Sequence, residues 1–295
     1  SAVAFQFAKK LQEVLGVPVG VILSAWGGTP IEAWTDKTSI ATVPDIQIPF
    51  PSEETPAGRL VSTCLYNGMI APIAGFGIKG FLWYQGEANR ARPEQYAPLM
   101  KAMVSGWRKK WGNDELPFYF AQIAPYTYPS HAAMVPYLRE AQQKAIDIIP
   151  LSGMAVSVDV GSMTTIHPPD KTTIAKRLLY LALARTYGMK GISTEGPRYS
   201  SMEVKEQKIL VKFDHASGGF TFSGDSIISF EIAGADRKFY PAKATIAKDG
   251  VLVESDQVTK PVAVRYAFTD RAAGNLYNTA GLPAPPFRTD NWPAN

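Results

Sequence analysis

The sequence predicts an α/β domain, with a parallel β-sheet covered by helices on both faces, followed by a small antiparallel β unit. Three observations predict it. Through the first 190 residues, short apolar runs alternate with amphipathic helical stretches, the pattern of βα units. After Gly188 the texture changes to period-two alternation broken by Gly-Gly and Asp-Gly turns. The composition, 46% hydrophobic and 19% charged, is that of a globular chain able to bury a sizeable core.

Taken in order, residues 1–15 place Val3, Phe7, Leu11, Val14 and Leu15 at helical spacing, and Gly16 follows as a stop. Residues 17–23 form a short apolar run that reads as a buried strand and ends in the turn Ser24-Ala-Trp-Gly-Gly-Thr-Pro30. Further strands are expected at 78–84, 118–123 and 154–158, and further helices at 93–111, 137–149 and 170–187. The expected faces are Tyr96, Met100, Met103, Trp107 and Trp111 on the first of these helices and Leu178, Leu179, Leu181 and Leu183 on the last. The pattern opens on a helix where such domains normally open on a strand, so one strand is expected to be missing from the front. Strands at 208–213, 228–232, 242–246 and 262–267 make up the β unit, and 281–290 is proline-rich and extended. The division expected is residues 1–190 and 191–295.

Composition removes several function classes. The net charge is +4 with the basic residues scattered, and the densest cluster, Arg108-Lys109-Lys110, falls at a helix end, where cations complement the dipole. No nucleic-acid partner is expected. The single cysteine, Cys64, allows no internal disulfide and reads as a small buried hydrophobe. There is no zinc-type cysteine spacing, no apolar run of about 20 residues to span a membrane and no signal-peptide pattern. The chain starts without Met inside an expected helix, which reads as a fragment or processed form.

In an open parallel sheet, ligands bind at the carboxyl ends of the strands. After the first expected strand come Trp26, Gly27 and Gly28. Paired glycines aim backbone N–H groups outward, as an oxyanion hole requires, or simply make a tight turn. After the second come Gln85, Gly86, Glu87 and Asn89, either polar donors to an oxyanion or caps of the next helix. After the fourth come Asp159 and, eight residues on, His167. A histidine on a strand-to-helix loop is placed for general-base catalysis if a partner orients it. Asp159 and Asp170 are the candidates, Asp170 being more simply explained as the N-cap or first-turn acid of the next helix. His131 and His215 lie in a Ser/Pro-rich loop and in the β unit. No G-x-S-x-G elbow occurs, and Ser24, Ser62, Ser157 and Ser162 lack an activating context. The residues alone thus lead to an oxyanion-type turn and a candidate base, with the nucleophile unidentified.

Residues 18–34, PVGVILSAWGGTPIEAW, resemble the second block of the sialate O-acetylesterase family, within the SGNH hydrolases. Residues 65–72 (LYNGMIAP), 80–89 (GFLWYQGEAN), 138–142 (LREAQ) and 166–171 (IHPPDK) are similar to its later blocks. Residues 264–266, 275–278 and 281–290 fit its C-terminal region. The resemblance covers nearly the whole chain, in order. It implies a three-layer α/β/α, flavodoxin-like fold and a serine hydrolase that cleaves acetyl esters on sugars without metal or cofactor. It further implies His167 as base, Asp159 as its partner, Gly27, Gly28 and Asn89 at the oxyanion hole, and Gln85 and Glu87 lining the pocket. Arg139 is the candidate contact to a substrate carboxylate, ahead of Tyr126, Trp34 and Arg288. The family's Gly-Gln-Ser-Asn nucleophile block is absent, so the serine is expected upstream of Ser1, on the missing strand, and the chain by itself is expected to be inactive. The substrate expected is an O-acetylated sialic acid, with acetylated xylan or another polysaccharide as the alternative. A non-catalytic carbohydrate-binding protein is the alternative of another class. The partners expected are the acetylated sugar and the chain's own missing N-terminal segment, and the family's usual export implies a periplasmic or secreted protein.

Overall fold

The computed structural model describes residues 1–44, 46, 58–128, 134–271 and 273–293; His131 lies outside them. The chain divides into two compact units. The first is Ser1–Ile123, Ala132–Ala155 and Lys171–Ile192; the second is Ala124–His131, Val156–Asp170 and Ser193–Asn295.

The first unit is built on a three-stranded parallel sheet, β1 (Phe81–Trp83), β2 (Phe118–Ala121) and β3 (Ser152–Ala155), in the order β1-β2-β3. All four residues of β2 are buried, as expected for a strand covered on both faces. Helices α3 (Pro93–Trp111) and α4 (Val135–Ile148) make the two crossovers and pack on each other. Right-handed crossovers running in one direction put both on one face. Helix α1 (Ala2–Leu15) packs on α5 (Lys171–Leu181), Leu11 meeting Leu179 and Leu183. A single turn, α2 (Lys37–Ile40), adds to α3.

The helix boundaries follow from local chemistry. Ser1 caps α1, its hydroxyl accepting from Ala4 N at 3.3 Å, and Gly16 ends it in the left-handed region at φ +69°. Pro93 opens α3 and Gly112, at φ +65°, closes it. Arg108 in its last turn does more than complement the dipole. It is buried, donating Nε to Leu116 O at 2.9 Å and a terminal nitrogen to Pro150 O at 2.8 Å. The helix expected over 170–187 ends at Leu181 and continues as a wider turn over Ala182–Thr186. Cys64 is half-buried.

The strand expected at 17–23 is not formed. Among the described residues, no ladder includes this run. Val17, Val21, Ile22 and Leu23 stand 51%, 49%, 49% and 56% exposed. Apolar sequence marks a segment fit for a buried strand, but a strand exists only where a neighbour takes its N–H and C=O groups.

In the second unit, β4 (Arg198–Lys205), β5 (Lys208–Asp214), β10 (Gly250–Glu254) and β9 (Lys243–Ala247) form one antiparallel sheet, ordered β4-β5-β10-β9. A second sheet, ordered β13-β11-β7-β8, uses β7 (Phe230–Ala233), β8 (Phe239–Pro241), β11 (Ala263–Tyr266) and β13 (Phe287–Arg288). A small pair joins β6 (Phe220–Phe222) to β12 (Leu276–Asn278). The Asp249-Gly250 turn joins β9 to β10, with Gly250 opposite Ala247. β4 escapes the sequence reading because none of its eight residues is buried, so apolar alternation is weak.

Candidate active site

Two of the sequence-predicted loops meet in the first unit. After the unladdered run comes the turn at Gly27-Gly28. Gly28 sits at φ +71° with nothing within 4 Å of where a Cβ would be, so conformation rather than space calls for glycine. Thr29 closes the turn, its hydroxyl donating to Trp26 O at 2.7 Å and accepting from Trp34 Nε1 at 2.9 Å. The chain then enters a buried 3₁₀ turn, Ile31–Trp34, with Glu32 only 2% exposed.

At the carboxyl end of β1 the chain runs through Gln85 and Gly86 into the 3₁₀ turn Glu87–Asn89. Gly86 is required by space. A Cβ there would lie 2.5 Å from Ile123 Cγ2 and 3.2 Å from Gln142 Nε2. Side chains then stitch the two loops together. Asn89 Oδ1 accepts from Ile31 N at 2.9 Å and from Gln85 Nε2 at 2.8 Å. Gln85 Nε2 also donates to Thr29 O at 3.0 Å. Asn89 Nδ2 donates to Glu32 Oε2 at 2.8 Å, and Arg92 donates to Glu32 Oε1 at 2.6 Å. Behind them, fully buried Tyr96 holds its hydroxyl 2.9 Å from Gln85 Oε1, and Gln142 bridges Ile123 N and Gln85 O. Burial pushes the Tyr96 phenol well up, so it stays a neutral donor.

Glu87 is half-buried beside Tyr84 and Lys171. Burial raises the Tyr84 phenol and the Glu87 charge raises it further. Lys171 Nζ lies 5.3 Å from the Tyr84 ring centroid, and burial lowers its pKa against the opposing pull of Glu87.

Arg139, expected at the substrate, is wholly buried at the junction of α4 and the end of β2. Its Nε donates to Ile123 O at 3.1 Å, and its own carbonyl accepts from Gln122 Nε2 at 3.2 Å. These contacts fasten the helix to the strand end. Trp34 is likewise core, ring-edge against Trp83 at 6.0 Å.

The other expected loop belongs to the second unit. Asp159 is half-buried, 3.4 Å from Tyr277 Oη, which donates to it. His167 is exposed between Ile166 and buried Pro168, its backbone N–H donating to Thr165 Oγ1 at 3.2 Å. His215 pairs with Glu195 at 3.0 Å, and Arg288 donates to Trp292 O at 2.7 Å. Of the serines considered, Ser24 donates to Met69 O, Ser62 and Ser157 are buried, and Ser162 Oγ lies against Thr164 and Thr165. Among the described residues no group of three His, Cys, Asp or Glu could hold a metal.

Sequence reasoning missed Glu32, Arg92, Tyr96 and Gln142. Glu32 did carry a signal: a lone charge between Ile31 and Ala33-Trp34, in a stretch otherwise fit for burial. Arg92 carried none.

The junction thus sets a glycine turn beside a buried side-chain amide at a strand end. The family model for carbohydrate esterases described as sialic acid-specific acetylesterase matches residues 2–177. The human sialate O-acetylesterase is 32% identical over 318 residues, covering 97% of this chain and 60% of that protein. The rat sialate O-acetylesterase is 29% identical over 343 residues, covering 97% and 63%. A crystal structure of a carbohydrate acetylesterase from Xanthomonas citri superposes with a TM-score of 0.88 at 36% identity, over 98% of this chain and 65% of that one. The chain thus spans about 60% of the length of the curated relatives it matches.

Proposed function

Because this chain belongs to the carbohydrate esterase family of sialic acid-specific acetylesterases, we propose that the whole protein carrying it hydrolyses O-acetyl esters on sugars, sialic acids first. A serine hydroxyl attacks the acetyl carbonyl. His167 takes its proton, gives it to the departing sugar oxygen, and then activates water against the acyl-enzyme. Asp159 orients the imidazole. The oxyanion is held by Gly28 N–H, beside Gly27, and by Asn89 Nδ2, while Gln85 and Glu87 shape the same rim.

The observation that carries this reading is the hydrogen-bonded junction of the Gly27-Gly28 turn with Asn89, through Ile31 N at 2.9 Å and Gln85 Nε2 at 2.8 Å. The names and likeness of the relatives support the substrate class. The serine lies in the part of the relatives' length that this chain does not span. It rides on a strand that pairs with residues 17–23 and completes a three-layer SGNH-type sheet. The exposed apolar run at 17–23 supports that placement.

Acetate release by the whole protein from O-acetylated sialic acid and from acetylxylan tests the proposal. Release from the sialic acid is expected to be faster, and to fall by about 10²–10⁴-fold in His167→Ala. Failure to cleave either ester overturns it, as does full activity in the variant. Faster cleavage of acetylxylan moves the substrate to the polysaccharide. His167-dependent cleavage of p-nitrophenyl acetate by residues 1–295 alone overturns the outside serine.

A further inference from the structure

We infer that Glu32, neutralised by Arg92, is a positioning residue that sets the orientation of the Asn89 amide and so aims its one remaining N–H at the reacting carbonyl oxygen. The inference rests on the proposed reading of Asn89 as an oxyanion donor.

A side-chain amide has two orientations related by a half-turn, with donors and acceptor exchanged. At Asn89 three contacts choose between them. Oδ1 faces two donors, Ile31 N at 2.9 Å and Gln85 Nε2 at 2.8 Å, and Nδ2 faces the Glu32 carboxylate at 2.8 Å. Turning the amide over would set Nδ2 against both donors and Oδ1 against a carboxylate, in a place where Asn89 is only 2% exposed. Of the two hydrogens on Nδ2, Glu32 takes one and leaves one for a ligand.

The same accounting separates Asn89 from Gln85. Both hydrogens of Gln85 Nε2 are in use, on Thr29 O at 3.0 Å and Asn89 Oδ1 at 2.8 Å, while its Oε1 faces the Tyr96 hydroxyl at 2.9 Å. Gln85 is therefore a buttress, and the oxyanion donor of the strand end is Asn89.

A buried carboxylate behind an oxyanion donor would by itself oppose negative charge developing in front of it. Arg92 removes that penalty. Its guanidinium donates to the other carboxylate oxygen at 2.6 Å, and its side chain remains 41% exposed, so one end of the pair stays hydrated. Glu32 can thus act as a strong, fixed acceptor without presenting a net negative charge to the site.

A double-mutant cycle in the whole protein on O-acetylated sialic acid tests this. Asn89→Ala should lower kcat about 10²-fold or more. Glu32→Gln, whose amide offers donors to Nδ2, should lower kcat about tenfold or more with KM within about twofold. If Glu32 acts through Asn89, adding Glu32→Gln to Asn89→Ala costs nothing further in kcat. An unchanged kcat in Asn89→Ala overturns the oxyanion role of Asn89, and this inference with it. A normal Asn89→Ala loss with no effect of Glu32→Gln, or with an additive effect, overturns this inference alone. Should Glu32→Gln lower the melting temperature, Glu32→Asp, which keeps the carboxylate acceptor, should recover most of the kcat lost in Glu32→Gln, and a kcat as low as that of Glu32→Gln in a stably folded Glu32→Asp overturns the inference.

Discussion

Gly28 and Gly86 show that one residue type can be required for opposite reasons. Gly28 has open space around it and a backbone at φ +71° that a side chain disfavours. Gly86 has no room, with Ile123 and Gln142 standing where a Cβ would go. Gly86→Ala is therefore expected to force Ile123 and Gln142 aside, destabilising by about 1–3 kcal/mol. Urea unfolding of the chain measures this, and an unchanged midpoint would show that the β1–α4 contact yields freely. Gln142 also holds Gln85 O, so the same change should loosen the acceptor side of the candidate site.

At the scale of elements, α3 and the run at 17–23 are opposite cases. In α3, Pro93 at the start, the apolar face and Gly112 at the end all act within one stretch of chain, so its bounds are readable from sequence alone. The run at 17–23 is as apolar as a buried strand, yet four of its side chains are about half exposed. The proposed outside strand explains the conflict and makes a contrast measurable. Ile22→Asp should shift the stability of residues 1–295 by no more than about 0.5 kcal/mol, as a surface change does. In the whole protein it should cost about 1.5–3 kcal/mol, because the side chain is then buried. Equal effects in the two, read from urea midpoints, would remove the strand partner from this run.

At the scale of the molecule, each unit combines aromatic packing with an ion pair. The first gathers aromatic rings, Phe81, Trp83, Trp107 and Phe118, around its parallel sheet. The second carries a buried ion pair, Arg265 bonded to both oxygens of Asp290 at 2.8 Å. Burial pushes the Asp290 carboxyl up, but the hydrogen bond and charge of Arg265 outweigh it and hold the pKa below the usual value. The sign follows from linkage. A carboxyl depressed in the folded state stabilises above its unfolded pKa, about 3.9. That stabilisation is lost as pH falls through the folded value. Asp290→Asn should cost about 1.5–3 kcal/mol at pH 7 and flatten the loss of stability below pH 4. Chemical unfolding of the second unit at the two pH values checks it, and a variant with the wild-type acid profile would refute the role of the pair.

Periodicity, turn chemistry and motif blocks, all local in the chain, suffice for the alternation of helices and parallel strands, the β-rich second half, the helix ends and the family. The sequence also marked Gly28, Gln85 and Asn89. The contacts those residues make depend on neighbours that folding brings in from distant parts of the chain. Arg139 became a buried fastener of α4 instead of a rim cation, Gln85 a buttress, and Glu32 the partner of Asn89 from 57 positions away. Hydrogen-bond saturation is a property of neighbours in space: a polar side chain can face a ligand only with the donors its surroundings have left over. No spacing along the chain records that remainder.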